Sequence, residues 1–143
     1  KDKKYPTMKR TLNQPFPKDF QKVVDYLQEH HDVDVKLGGT TVFLGMGLNR
    51  IFVHYAHNLE KNGLYSLLHE AGHALQPRTN TGANYYKSID EDKHPHKFTY
   101  HQFLNEMDAW ERGKKLAEKL GIDIDIKGFN KLKDEALITY FPK

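Results

Sequence analysis

The sequence predicts an α+β fold. A short, mostly antiparallel three-stranded sheet packs on a helix carrying His69-Glu70-Ala71-Gly72-His73 and on a long helix carrying Glu106. Three observations predict it. Residues 33–56 are rich in β-branched and aromatic side chains and are cut by glycine pairs. Residues 63–76 and 98–120 repeat apolar positions at helical spacing. The length, 143 residues, suits one domain with a core of its own. Residues 1–16, with Pro6 and Pro15 and few periodic apolar positions, read as an extended arm ahead of a single domain over 17–143.

In chain order, Pro17 suits the first turn of a helix. Phe20, Val23, Val24 and Leu27 give residues 17–30 an apolar face, and His30 and His31 fall at its end, where a helix C-terminus favours them as solvated side chains. Val33 and Val35 alternate with charges, Gly38-Gly39 signals a turn, Thr41–Leu44 is β-rich, and Arg50–Tyr55 is strand-like again. The links are too short for crossover helices, so the pairing is expected to be antiparallel. Gly45-Met46-Gly47 lacks the lysine and the following helix of a phosphate loop and reads as a bend or bulge. Asn62 is the expected N-cap of the motif helix, and Pro77 closes it. Residues 77–97 show little pattern, and a loop of that length in a small domain tends to be functional or disordered. Thr99 and Gln102 make a capping box for a helix that Gly121 stops, about 33 Å long at ~1.5 Å per residue. Ile122, Ile124 and Ile126 suggest an extended segment, and Phe129, Leu132 and Ala136 a short last helix.

Composition narrows the function classes. There is no run near 18 apolar residues, so no membrane span is expected. The net charge of +3 is mild and argues against a dedicated nucleic-acid binder, the basic stretch Lys1–Arg10 reading as a solvated tail. That stretch has no apolar core and does not read as a secretory signal. With no cysteine, disulfides and thiolate metal sites are ruled out, histidine and carboxylate are left as the strong candidate ligands, and a reducing, cytoplasmic compartment is expected.

The motif carries the chemistry. Residues four apart share a helix face, so His69 and His73 can offer two imidazole nitrogens to one metal ion, with the Glu70 carboxylate one position round, within reach of a water on that ion. On the helical wheel Leu64, Leu67, Leu68, Ala71 and Leu75 form the core face, and the two histidines point away from it. Gly72, which costs about 1 kcal/mol against alanine in mid-helix, lies beside the histidines and suggests close approach by another element. A catalytic zinc takes three protein ligands. In the long helix Glu106 projects from an apolar face made by Phe103, Ala109, Trp110, Gly113, Ala117 and Leu120, where a carboxylate needs compensation such as a metal, whereas Asp108 and Glu111 point outward. His94, His96 and His101 are the rival third ligands.

His69-Glu70-Ala71-Gly72-His73 followed by Glu106-Met107-Asp108-Ala109-Trp110 resembles the small zincin metallopeptidases whose third ligand is a glutamate on a later helix. Among them it looks most like compact bacterial and phage-type members such as the ImmA/IrrE group. The resemblance implies a zincin-like fold and one zinc ion held by His69, His73 and Glu106. It also implies Glu70 as general base and a protein or peptide as substrate. Thr79 stands where a metzincin would have its third histidine. Tyr85, Tyr86, Tyr100 and His101 are all candidates to stabilise the oxyanion. The edge of the Arg50–Tyr55 strand is the candidate platform for an extended peptide. The alternative function is a zincin-fold binding or regulatory protein with little turnover.

Overall fold

The structure is a computed structural model that describes residues 16–45 and 48–141. The extended arm and its basic stretch, apart from Phe16, and the Met46-Gly47 bend lie outside the described residues. Pro17 caps the first helix, α1 (Lys18–His31), and its carbonyl accepts from the Gln21 amide. The expected apolar face is buried through Phe20, Val23 and Leu27. Asp32 ends α1 in the left-handed conformation (φ 54°), and the Val33 amide folds back to the Leu27 carbonyl, turning the chain into the sheet.

Three strands follow where the β-rich stretches stand: β1 (Asp34–Gly38), β2 (Val42–Leu44) and β3 (Arg50–His54). The sheet is mixed, and this corrects the antiparallel expectation. Its order is β1-β3-β2, with β3 parallel to β1 and antiparallel to β2. Sequential strands need not be neighbours. The link 39–41 carries the chain past a gap of two strand spacings, ~9.6 Å, which four Cα steps of up to ~3.5 Å can span, and β3 then fills the gap. Asp34 and Arg50 face each other in the parallel register, and a two-pronged ion pair (Nε–Oδ1 3.0 Å, Nη2–Oδ2 3.0 Å) pins that register. Val35, Ile51 and Val53 turn one face of the sheet into the core.

The motif helix α2 (Asn62–Ala74) starts one residue earlier than expected: Lys61 is its N-cap and Asn62 lies in the first turn. The preceding turn makes this possible, because the Asn58 carbonyl accepts from the Lys61 and Gly63 amides. The long helix α3 (Pro95–Lys119) also starts early. His94 is its N-cap and Pro95 occupies the first turn, where its missing N–H costs nothing, so Thr99 and Gln102 sit inside the helix and form no capping box. Its end is as read: Gly121 takes φ +71°, its amide bonds the Glu118 carbonyl, and the Ile122 amide bonds the Ala117 carbonyl, which is a Schellman closure. Part of the 77–97 stretch is a 3₁₀ helix (Gly82–Ser88) laid against α3. The last helix, α4 (Ile126–Leu137), is longer than expected and runs into a 3₁₀ turn, Ile138–Tyr140.

Helices α2 and α3 cross with their backbones touching. A Cβ on Gly72 would lie 1.9 Å from the Ala109 carbonyl oxygen, and one on Gly113 would lie 2.3 Å from that of Leu68. The expected close approach at Gly72 is therefore made by α3. Leu67 and Leu68 of α2, Trp110 and Leu116 of α3, Phe129 of α4 and the buried faces of α1 and the sheet form one apolar cluster. No helix among the described residues is long and apolar enough to cross a membrane.

Candidate metal centre

The glycine crossing decides what faces what. Glu106 lies three residues before Ala109 and seven before Gly113, on the same face of α3. His69 follows Leu68, and His73 follows Gly72. Locking Gly72 on Ala109 and Gly113 on Leu68 therefore sets Glu106 between the two imidazoles. Its Oε1 is 2.8 Å from His69 Nε2 and 3.2 Å from His73 Nε2. One ligand atom from each of His69, His73 and Glu106 lies within 4.8 Å of the others, so the three are positioned to hold a metal ion.

Each histidine is oriented from behind. The His69 ring stacks flat on the Trp110 indole, 4.2 Å between centroids and 6° between planes. The Nδ1–H of His73 donates to Gln76 Oε1 (3.1 Å), which fixes the tautomer that leaves Nε2 for a ligand. Gln76 is itself buried and donates through Nε2 to the Asn105 carbonyl and to Asp108 Oδ2, both at 3.0 Å. Asn105 donates to Gln76, to the Ala83 carbonyl and to Asn84 Oδ1, and Asn84 donates to the Pro77 carbonyl. This network ties the end of α2, the 3₁₀ segment and α3 into one support. Asp108, turned outward by the wheel, belongs to it: its direction away from the apolar face is the direction of Gln76, and Arg112 Nε holds its carboxylate at 2.6 Å.

The electrostatics follow from burial and pairing. Burial would raise Glu106, but hydrogen bonds from His69 and His73, and then their charge, hold it down at about 2. Burial would lower His73, and the Glu106 hydrogen bond and charge, helped by Glu70, raise it instead. Glu70, 9% exposed, is raised above the usual carboxylate range by burial, against the pull of the two histidines and of the Phe43 amide that donates to it from β2. Its Oε2 stands 3.4 Å from His69 Nδ1.

The three ligand candidates and Glu70 share a cleft of about 540 Å³ with Val42, Phe43 and Gly45 of the β2 segment. Of the four oxyanion candidates, Tyr86 lines this cleft. Tyr85, Tyr100 and His101 do not line it and pack their rings on one another, Tyr85–His101 at 4.9 Å and Tyr100–His101 at 5.0 Å. None of the rival ligands joins the cluster: His94 is the α3 cap, His96 lines a separate cavity, and His101 is edge-on to Tyr85. Sequence reasoning missed Tyr140. Its hydroxyl lies close enough to Glu106 to feel the carboxylate, and burial with the Glu106 charge pushes its pKa up to about 12. A tyrosine 34 positions away, beyond α4, carries no spacing signal. Gln76 and Asn105 left a fainter one, as polar residues next to histidine and glutamate on otherwise buried surfaces. No family model, curated protein or solved structure matches the chain.

Proposed function

We propose that this protein is a zinc-dependent peptidase with a zincin-like fold, in which His69, His73 and Glu106 are the metal ligands and Glu70 is the general base. The single observation that carries the reading is the convergence of two Nε2 atoms and one carboxylate oxygen beside a second, buried glutamate in an open cleft. The donor types, two imidazoles and a carboxylate, suit zinc, and the three atoms need to open by only a few tenths of an ångström to admit it. Ligand bonds of ~2.0–2.2 Å in a tetrahedron put ligand atoms about 3.3–3.6 Å apart, and the histidine nitrogens stand 2.8 and 3.2 Å from Glu106 Oε1. Trp110 and Gln76 supply the outer support that ligating histidines require. Zinc, when bound, polarises a carbonyl and brings the pKa of its water down to ~7.

The chain's own groups do the rest. Glu70 takes the proton of the attacking water and returns it to the leaving amine, and burial raises its pKa from the ordinary value. Tyr86 is the candidate donor to the oxyanion that develops on the substrate carbonyl. The peptide platform moves from β3 to β2. β3 is the central strand with both flanks paired, whereas β2 pairs on one side and presents its other side to the cleft. An extended substrate can add there by backbone pairing.

The test has two arms. Purified protein should contain zinc near one equivalent, and Glu106→Ala should lose it; a protein without zinc, or a variant binding it as tightly, overturns the ligand set. A peptide library should be cleaved by the zinc-loaded protein and not by Glu70→Gln, and equal cleavage by that variant overturns the role of Glu70.

A further inference from the structure

We propose that the cleft selects peptides bearing acidic side chains, with Arg78 and Lys87 as the cations that receive them. The inference deepens the peptidase reading and rests on it for the identity of the cleft. Both cations line the cleft that holds His69, His73 and Glu106. Neither has a carboxylate partner among the described residues, where the ion pairs fall elsewhere. Among the described residues the only carboxylates lining the cleft are Glu70 and Glu106, and both are engaged with the histidine cluster. With a divalent ion bound and its histidines neutral, the two carboxylates cancel the ion's charge, and Arg78 with Lys87 leaves the cleft at +2. A cleft of one sign draws the opposite sign into it.

Arg78 is also braced. Its guanidinium lies over the Phe43 ring, 5.7 Å from the centroid, and both Nη atoms reach Asn49 Oδ1 at 3.4 Å. Its Nη1 would be 3.6 Å from a Cβ on Gly45, which places it beside the end of β2. A peptide added to the open edge of β2 brings its side chains past this fork, and a planar fork held in place suits a carboxylate. Lys87 stands over the Tyr86 ring, 5.9 Å from the centroid. The strand edge is what favours a peptide over another polyanion.

Binding rather than turnover tests this. Zinc-loaded Glu70→Gln protein is titrated into three fluorescent peptides of one alanine-serine frame, carrying two glutamates, two glutamines or two lysines. A single-stranded oligonucleotide serves as the competing polyanion. The glutamate peptide should bind about five- to twenty-fold more tightly than the glutamine one, as two rim ion pairs allow. The lysine peptide should bind most weakly. The preference should shrink to within about two-fold in Arg78→Gln/Lys87→Gln, and in 0.5 M salt, where screening is strong. Both side chains are exposed, so circular dichroism should show the double variant folded. Equal binding of the three peptides, an acidic preference that survives in the double variant, or tighter binding of the oligonucleotide each overturns the proposal. Acidic preference without cleavage by the wild type sinks the peptidase reading and leaves this one standing; cleavage without the preference does the reverse.

Discussion

Gly72→Ala is the sharpest probe of the two-helix site. The added Cβ would sit 1.9 Å from the Ala109 oxygen, 2.7 Å from its carbon and 3.0 Å from its Cα. All three are backbone atoms, so no side chain can rotate out of the way. Restoring an ordinary contact of 3.4 Å requires α3 to retreat by 3.4 − 1.9 = 1.5 Å. Overpacking of this kind costs about 1–3 kcal/mol, and the unyielding partner puts it at the upper end. Alanine returns about 1 kcal/mol of helix propensity, leaving a net loss of about 2 kcal/mol. In a chain of this size that lowers Tm by roughly 5 °C. The metal should suffer more than the fold. Glu106 rides on α3, so the full retreat would carry its 2.8 and 3.2 Å approaches to His69 and His73 up to about 4.3 and 4.7 Å, well past the ~3.3–3.6 Å that a tetrahedral ion needs. Ligand bonds tolerate only about 0.2 Å, and zinc affinity should fall by about 100-fold or more. Thermal melts by circular dichroism and zinc competition against a chromophoric chelator read the two effects. Gly39→Ala, where a Cβ meets nothing within 4 Å, is the control. If Gly72→Ala melts at or above the wild type and holds zinc equally well, the helices do not touch at these glycines and the derivation of the site collapses.

Further outcomes are expected. Gln76→Ala frees the His73 Nδ1–H and unseats Asn105, so zinc affinity should drop about 10–100-fold; unchanged affinity would show that the orienting bond is irrelevant. Tyr140→Phe removes the hydroxyl beside Glu106 and should weaken zinc severalfold while leaving the melt within a few degrees, since one such polar contact is worth about 1 kcal/mol; a variant indistinguishable in zinc titration rules that contact out. The stability gap between metal-free wild type and metal-free Glu106→Gln should depend on pH in both directions. Glu106 is depressed, so its contribution is present above its ordinary 4.5 and is lost as pH falls toward about 2. His73 is raised, so its share is present below its ordinary 6.5 and is lost as pH rises through the raised value. The gap is thus widest between those limits, and a gap measured by urea titration that stays flat from pH 3 to 8 contradicts the pairing.

Much of this protein is legible one element at a time. The strands stand where β-rich stretches alternate, because period-two burial marks the sequence directly: Val35, Ile51 and Val53 are buried in turn. The motif helix shows its core face through Leu64, Leu67, Leu68 and Ala71, and Glu106 stands out because a carboxylate on an apolar face needs a reason. Gly121 closes α3 as expected because a left-handed cap is a local requirement that glycine meets without steric cost. The local signals that misled are those with a nearby competitor. Thr99 and Gln102 could cap a helix, but Pro95 starts one a turn earlier at no cost. Asn62 could cap α2, but the Asn58 turn already serves its first amides.

What the sequence determined by itself is the inventory: an α+β chain, a helix presenting two histidines and a glutamate, and a second helix with one misplaced carboxylate. Periodicity and capping act within a few residues, so they are written along the chain. Tertiary structure alone decided that β3 inserts between β1 and β2, since strand order depends on where a link of three residues lands. That order moved the open edge from β3 to β2. It also decided that Gln76, Asp108 and Asn105 brace His73, that Tyr140 returns from beyond α4 to Glu106, and that Arg78 and Lys87 share the cleft. Most of these contacts join residues far apart in sequence, and those between α2 and α3 depend on two glycines that let the helices meet backbone to backbone.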